Sequence, residues 1–235
     1  MGKMGLGYGS EFHLLRYLGY HRHDLNRAVE VQTGGQVLDW LDFAFDGRRR
    51  FPYLDIEWKG LNFLDDSKTS ERSTWLKFWP QTGNVPNWDA IGILELESKT
   101  EYLLVEAKAH VSEIRSHCSA SEQGGLPKIR ETFSETIRAY DYISDPNKWL
   151  SPFYQYANRL AQLHFLLGHK VLARLIFIYF VGDQWLSKRD DGGDAIVCPQ
   201  NEQDWQPDLR TMYGHLGLSG SSKLEQRVHS VFLHV

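Results

Sequence analysis

The run Tyr102-Leu103-Leu104-Val105-Glu106-Ala107-Lys108-Ala109 constrains this chain more than any other segment, because it is apolar almost throughout yet carries a carboxylate and an ammonium two residues apart. A continuous apolar run of this length reads as a strand covered on both faces, a central position in a sheet. Residues i and i+2 of a strand project from one face, so Glu106 and Lys108 stand side by side. Burying either charge alone is costly, and the cost must be offset by mutual pairing, by a metal ion, or by both. An acidic-x-Lys pattern occurs three more times, at Glu57/Lys59, Asp66/Lys68 and Glu97/Lys99. Those three sit in polar turn-like sequence or in the alternating pattern of a half-exposed strand, where charges meet water.

The surrounding segments predict a mixed architecture. Residues 11–19 keep a helical apolar period behind Ser10 as cap, with Glu11 in the first turn. Residues 21–30 are polar and read equally as a short helix or a loop. Residues 37–45 and 51–58 flank Asp46-Gly47 and read as a hairpin, with Arg48, Arg49 and Arg50 at its tip. Residues 59–86 look irregular. Residues 88–96 and 102–109 form a pair of strands whose five-residue polar connection suits antiparallel pairing. A loop over 115–127 leads to helices at 129–143 and 152–167, the second opening with Ser151 as cap and Pro152 at the favoured first position. Strands at 171–181 and 227–235 follow, separated by a long loop over 182–208. The expectation is one domain over 1–235 of α/β or α+β class, a mixed central sheet flanked by helices.

Composition narrows the function. The formal net charge of −4 argues against nucleic-acid binding by a broadly basic surface, so any phosphate contact must be local. Cys118 and Cys198 stand far apart in the chain with no neighbouring cysteine, which gives no zinc-binding spacing and fits a reducing compartment. No apolar run reaches the roughly 20 residues a membrane helix needs, and the first residues lack the apolar core of a signal peptide. A cytoplasmic protein is expected.

Asp89 opens the strand that precedes the charged one, and antiparallel pairing through the short connection brings it to the same end of the hairpin as Glu106. Two carboxylates converging beside a lysine suit a hard cation such as magnesium, which prefers oxygen ligands and keeps waters for chemistry. Asn87-Trp88-Asp89 followed by Val105-Glu106-Ala107-Lys108 resembles the PD-(D/E)XK nuclease superfamily, with its restriction-endonuclease-like fold. The residue before Asp89 is Trp88 rather than proline, a departure that superfamily members often share. The resemblance implies that Asp89 and Glu106 ligate magnesium, or manganese in its place, with the backbone carbonyl of Ala107 as a further ligand. It implies that Lys108 positions the attacking water, that Glu11 matches an upstream acid, and that Gln155 is the polar helix residue near the metal. Asn158 and Arg159 on the same polar helix stripe, and Arg48, Arg49 and Arg50, are candidate nucleic-acid contacts. The implied activity is magnesium-dependent hydrolysis of phosphodiester bonds, DNA before RNA, with a homodimer as one arrangement for cutting two strands. Three other readings stay open: a buried structural ion-pair cluster, a catalytically inactive fold used as an interaction module, and a metal-free nucleic-acid binder.

Overall fold

The computed structural model describes residues 9–41, 57–81, 85–183 and 196–235. Helix α1 (Ser10–Gly19) and helix α2 (Arg22–Thr33) bury Leu14, Leu18, Leu25 and Val29, the one-face periodicity that an amphipathic helix requires. The open segment 21–30 is thus helical, and Gly34 closes it in the left-handed region at φ 73° with its N–H bonded to the Glu30 carbonyl. Ser10 does not cap α1. Gly9 holds the N-cap position, and the Ser10 hydroxyl donates to Glu113 instead.

Strand β1 (Gln36–Trp40) is followed, after the undescribed stretch, by the two-residue β2 (Trp58–Lys59) and by helix α3 (Thr69–Phe78). Strands β3 (Asn87–Trp88), β4 (Ala90–Leu96) and β5 (Lys99–Lys108) come next. Most of the expected hairpin over 37–58, including Arg48, Arg49 and Arg50, lies outside the described residues. Of its described ends, β1 pairs with β4 and Trp58 with Trp88. Helix α4 (Leu126–Ala139), helix α5 (Tyr154–Gly168), strand β6 (Ala173–Val181), helix α6 (Glu202–Leu216) and strand β7 (Val228–His234) complete the chain. Helix α5 starts two residues later than the Ser151 cap predicts, with Phe153 at its N-cap, while the Ser151 hydroxyl bonds the His117 ring. Helix α6 occupies the end of the expected loop, its Asn201 side chain accepting from the Asp204 N–H.

The five strands lie in the order β1-β4-β5-β6-β7, antiparallel at β1/β4 and β4/β5 and parallel at β5/β6 and β6/β7. The class is mixed α/β, and the apolar, charge-bearing strand is the central one. Alternation along β5 divides its side chains between two cores. Leu103, Val105 and Ala107 join α1, α2 and the β7 residues Val231 and Leu233. Leu104 faces the larger core built from α3, α4, α5 and α6, which holds Trp75, Trp88, Phe133, Trp149 and Trp205. Toward the start of β5, on the first of these faces, Glu101 is buried against the guanidinium groups of Arg174 at 2.7 Å and Arg227 at 3.1 Å, and Arg174 in turn donates to His229. No described helix is long and apolar enough to cross a membrane.

Candidate functional site

The geometry follows from the hairpin register. Glu97 and Ser98, both at positive φ, turn the chain so that Leu96 faces Lys99 and Ala90 faces Val105. One step further, β4 ends and Asp89 stands beside β5. Its N–H donates to the Val105 carbonyl at 3.1 Å, and its carboxylate accepts the Ala107 N–H at 2.7 Å. Within a strand the N–H and C=O of one residue point to the same side, so the Ala107 carbonyl faces the fork that Asp89 opens.

Glu106 projects toward the α5 face and is 2% exposed. Lys108 Nζ donates to its Oε1 at 2.5 Å and Gln155 Nε2 to the same oxygen at 2.7 Å. The other oxygen, Oε2, takes both Nε (2.9 Å) and Nη2 (2.6 Å) of Arg159. That guanidinium also donates to the Asn158 side chain and to the Asn87 carbonyl, and it lies 4.8 Å over the Trp88 ring. Beside Glu106 and Lys108 a cavity of about 10 Å³, walled by Gln155, Tyr156, Phe177 and Tyr179, has room for roughly one water.

The charges are strongly coupled. Burial, and then the neighbouring Glu106, push the Asp89 carboxyl up to about 7. Burial also acts to raise Glu106, but Arg159 and Lys108 outweigh it and hold that carboxyl below its usual range. Lys108 is shifted upward: burial opposes its charge, and the attraction of Glu106 and Asp89 exceeds that cost. The two carboxyls are thus driven apart, Asp89 upward by burial and its neighbour and Glu106 downward by the cations around it.

The structure thus brings together Asp89, Glu106, Lys108 and Gln155. It does not add Glu11, which is exposed on α1; the α1 residue that reaches this end of β5 is Ser10. Asn158 and Arg159 are not on a solvated face. They are 4% and 3% exposed, because α5 is enclosed on all sides, and Arg159 is a component of the centre rather than a surface contact for phosphates. Just past β5, His110 and Glu113 form a further polar contact. His110 lies two residues past the end of β5, with an extended backbone (φ −148°, ψ 158°) at the start of the short 3-10 turn Val111–Ile114. Glu113 accepts the Ala109 N–H at 2.6 Å through Oε2, while its Oε1 lies 3.2 Å from His110 Nε2 and accepts from Ser10 at 3.3 Å.

The donor set suits a magnesium ion held mostly by water. Asp89, Glu106 and the Ala107 carbonyl supply hard oxygens, and a cation would relieve the repulsion that raises Asp89. A cage made only of protein side chains is not present: among the described residues no three His, Cys, Asp or Glu side chains group as a metal cage. Each Glu106 oxygen already accepts two hydrogen bonds, so an ion would have to displace one of these donors to reach it. Comparisons of the chain with protein-family models, with curated proteins and with solved structures found no match.

Proposed function

We propose that this protein is a magnesium-dependent phosphodiesterase that hydrolyses nucleic acid, DNA in preference to RNA, on a restriction-endonuclease-like arrangement of sheet and helices. The observation that carries the reading is the convergence of Asp89, Glu106 and Lys108, with Gln155, at one end of the central strand. A magnesium ion bound there would polarise the scissile phosphate and acidify a water. Asp89, Glu106 and the Ala107 carbonyl would hold it. Lys108, tied to Glu106, keeps its ammonium at the mouth of the small cavity and orients a water toward phosphorus. Arg159 neutralises the far oxygen of Glu106 and, through Trp88 and Asn87, fixes the strand that presents Asp89. Gln155 fixes the near one.

Purified protein incubated with plasmid DNA and magnesium or manganese is the direct test. Cleavage that disappears in Asp89→Ala and in Lys108→Ala is the expected result; unchanged metal-dependent cleavage in either variant sinks the assignment. A crystal soaked with manganese adds an activity-independent readout, with an anomalous peak expected between Asp89 and Glu106. Manganese binding that ignores Glu106→Gln would leave the cluster as a structural ion-pair network.

A further inference from the structure

We infer that the outer edge of β7, together with the groove between that strand and α2, is the surface through which two copies of this chain pair. β7 ends the sheet, and it is an edge without the usual protection. Its seven residues, Val-His-Ser-Val-Phe-Leu-His, include no proline, lysine or carboxylate, and all seven keep register with β6. The opposite edge is blunted: β1 has five residues, carries Asp39 and loses register between Val37 and Asp39. Just past β7 the Val235 N–H turns inward to the Val181 carbonyl at 3.1 Å. By alternation the N–H and C=O groups of Val228, Ser230 and Phe232 turn outward, where among the described residues they meet no partner. The next outward acceptor, the His234 carbonyl, is taken by the Tyr17 hydroxyl at 2.6 Å. Beside this edge runs an open groove of about 390 Å³, lined by Ala28, Val31, Val231 and Phe232 and by the exposed, oppositely charged Asp24 and Arg27. Val31 is 74% exposed.

The occupant is a second copy rather than an unrelated strand because the surface is complementary to itself. A twofold axis through Ser230, perpendicular to the sheet, sets Ser230 opposite Ser230 of the second copy and Val228 opposite its Phe232. All three free outward positions then enter one antiparallel ladder. The same axis keeps both α2 helices on one face, joins the two grooves, and lets Asp24 of each copy meet Arg27 of the other. Each open edge closes on the other, so assembly stops at two. Glu106 is level with Phe177 on β6 and with Ser230 on β7, so the two Glu106 residues stand at one height, five strand spacings or about 24 Å apart. The two β5 strands run in opposite directions, and the two centres open toward opposite ends of the joined sheet.

Sedimentation equilibrium of the full chain, without metal or nucleic acid, is the test, and a particle of twice 27.2 kDa is expected at micromolar concentration. Ser230→Pro removes one outward donor from each copy and spares the inner ladder to β6, a substitution that edge strands tolerate. It is expected to raise the dissociation constant about 30-fold, the loss of two interfacial hydrogen bonds. Arg27→Asp sets like charges against each other across the axis and should also weaken association, and Asp24→Arg/Arg27→Asp should restore it. A monomer, its edge left for a foreign strand or for none, overturns the inference. So does a dimer that Ser230→Pro leaves as tight as before; if that variant fails to melt cooperatively, an undiminished dimer in Arg27→Asp decides the matter in the same sense. Neither outcome bears on the phosphodiesterase reading.

Discussion

Arg159 shows how much of the centre is held by a residue outside the three-residue pattern. Its guanidinium donates twice to one oxygen of Glu106, and it also reaches the Asn87 carbonyl and the Trp88 ring, so a single side chain joins α5, β5 and β3. Leaving a buried charge wholly unpaired costs about 3–5 kcal/mol, and removal of Arg159 would leave Glu106 with Lys108 as its remaining cation. Arg159→Met is therefore expected to lower unfolding free energy in urea by less than that full amount, about 2 kcal/mol, with Glu106→Gln/Arg159→Met losing less than the sum of the two single changes. An additive double variant would mean that the pair is not coupled. At this scale Asp89, Glu106 and Lys108 were legible from sequence, since strand alternation and hairpin register follow from short-range geometry, while Gln155 came from the family resemblance alone. Arg159 and Asn158 were not legible. A polar helix stripe ordinarily meets water, and here it meets a carboxylate contributed by an element about fifty residues earlier, a pairing no local pattern encodes.

Among the elements, the β4–β5 turn sets the register on which the whole centre depends, and it does so with unfavourable residues. Glu97 at φ 51° and Ser98 at φ 60° both occupy the left-handed region that a two-residue hairpin turn of this kind requires and that Asn-Gly adopts at lower cost. Replacing Glu97-Ser98 by Asn-Gly should stabilise the protein by about 1 kcal/mol, read as a rise of about 2–4 °C in thermal midpoint. No rise, or a fall, would show that this turn is not under backbone strain. The same turn explains a boundary error: a five-residue polar connection was expected, but Lys99, Thr100 and Glu101 already belong to the strand. Helix α3 was missed because a single buried residue, Trp75, gives it almost no apolar period. Helix α6 did carry a period in Trp205, Leu209, Met212 and Leu216, but Pro207 and the acidic start masked it as loop. The strands were easier to find, since β4, β5 and β6 are apolar runs that few other structures accommodate.

Across the whole molecule, β5 ties together two charged clusters with different consequences for pH. At the Glu101 end, burial first and then Arg174 pull the His229 imidazole down to about 4 from its ordinary 6.5. The unfolded chain binds a proton there below pH 6.5 that the folded chain refuses until about pH 4, so stability contributed by neutral His229 is complete above 6.5 and falls progressively through that window. Denaturation curves between pH 7 and pH 4 should show a shallower loss for His229→Gln than for the unaltered protein; parallel losses would clear His229 of this role. The two buried glutamates have a further effect through their spacing. Glu101 and Glu106 are an odd number of residues apart and so project to opposite faces of one strand, each against its own guanidinium partner. A slip of β5 by one residue would turn Glu106 into the aliphatic layer of Val105 and Ala107 and Glu101 into the aromatic layer, stranding both charges at once. Two acidic side chains thereby exclude every neighbouring alignment of the central strand, and the alignment they permit is the one that sets Asp89 beside Glu106.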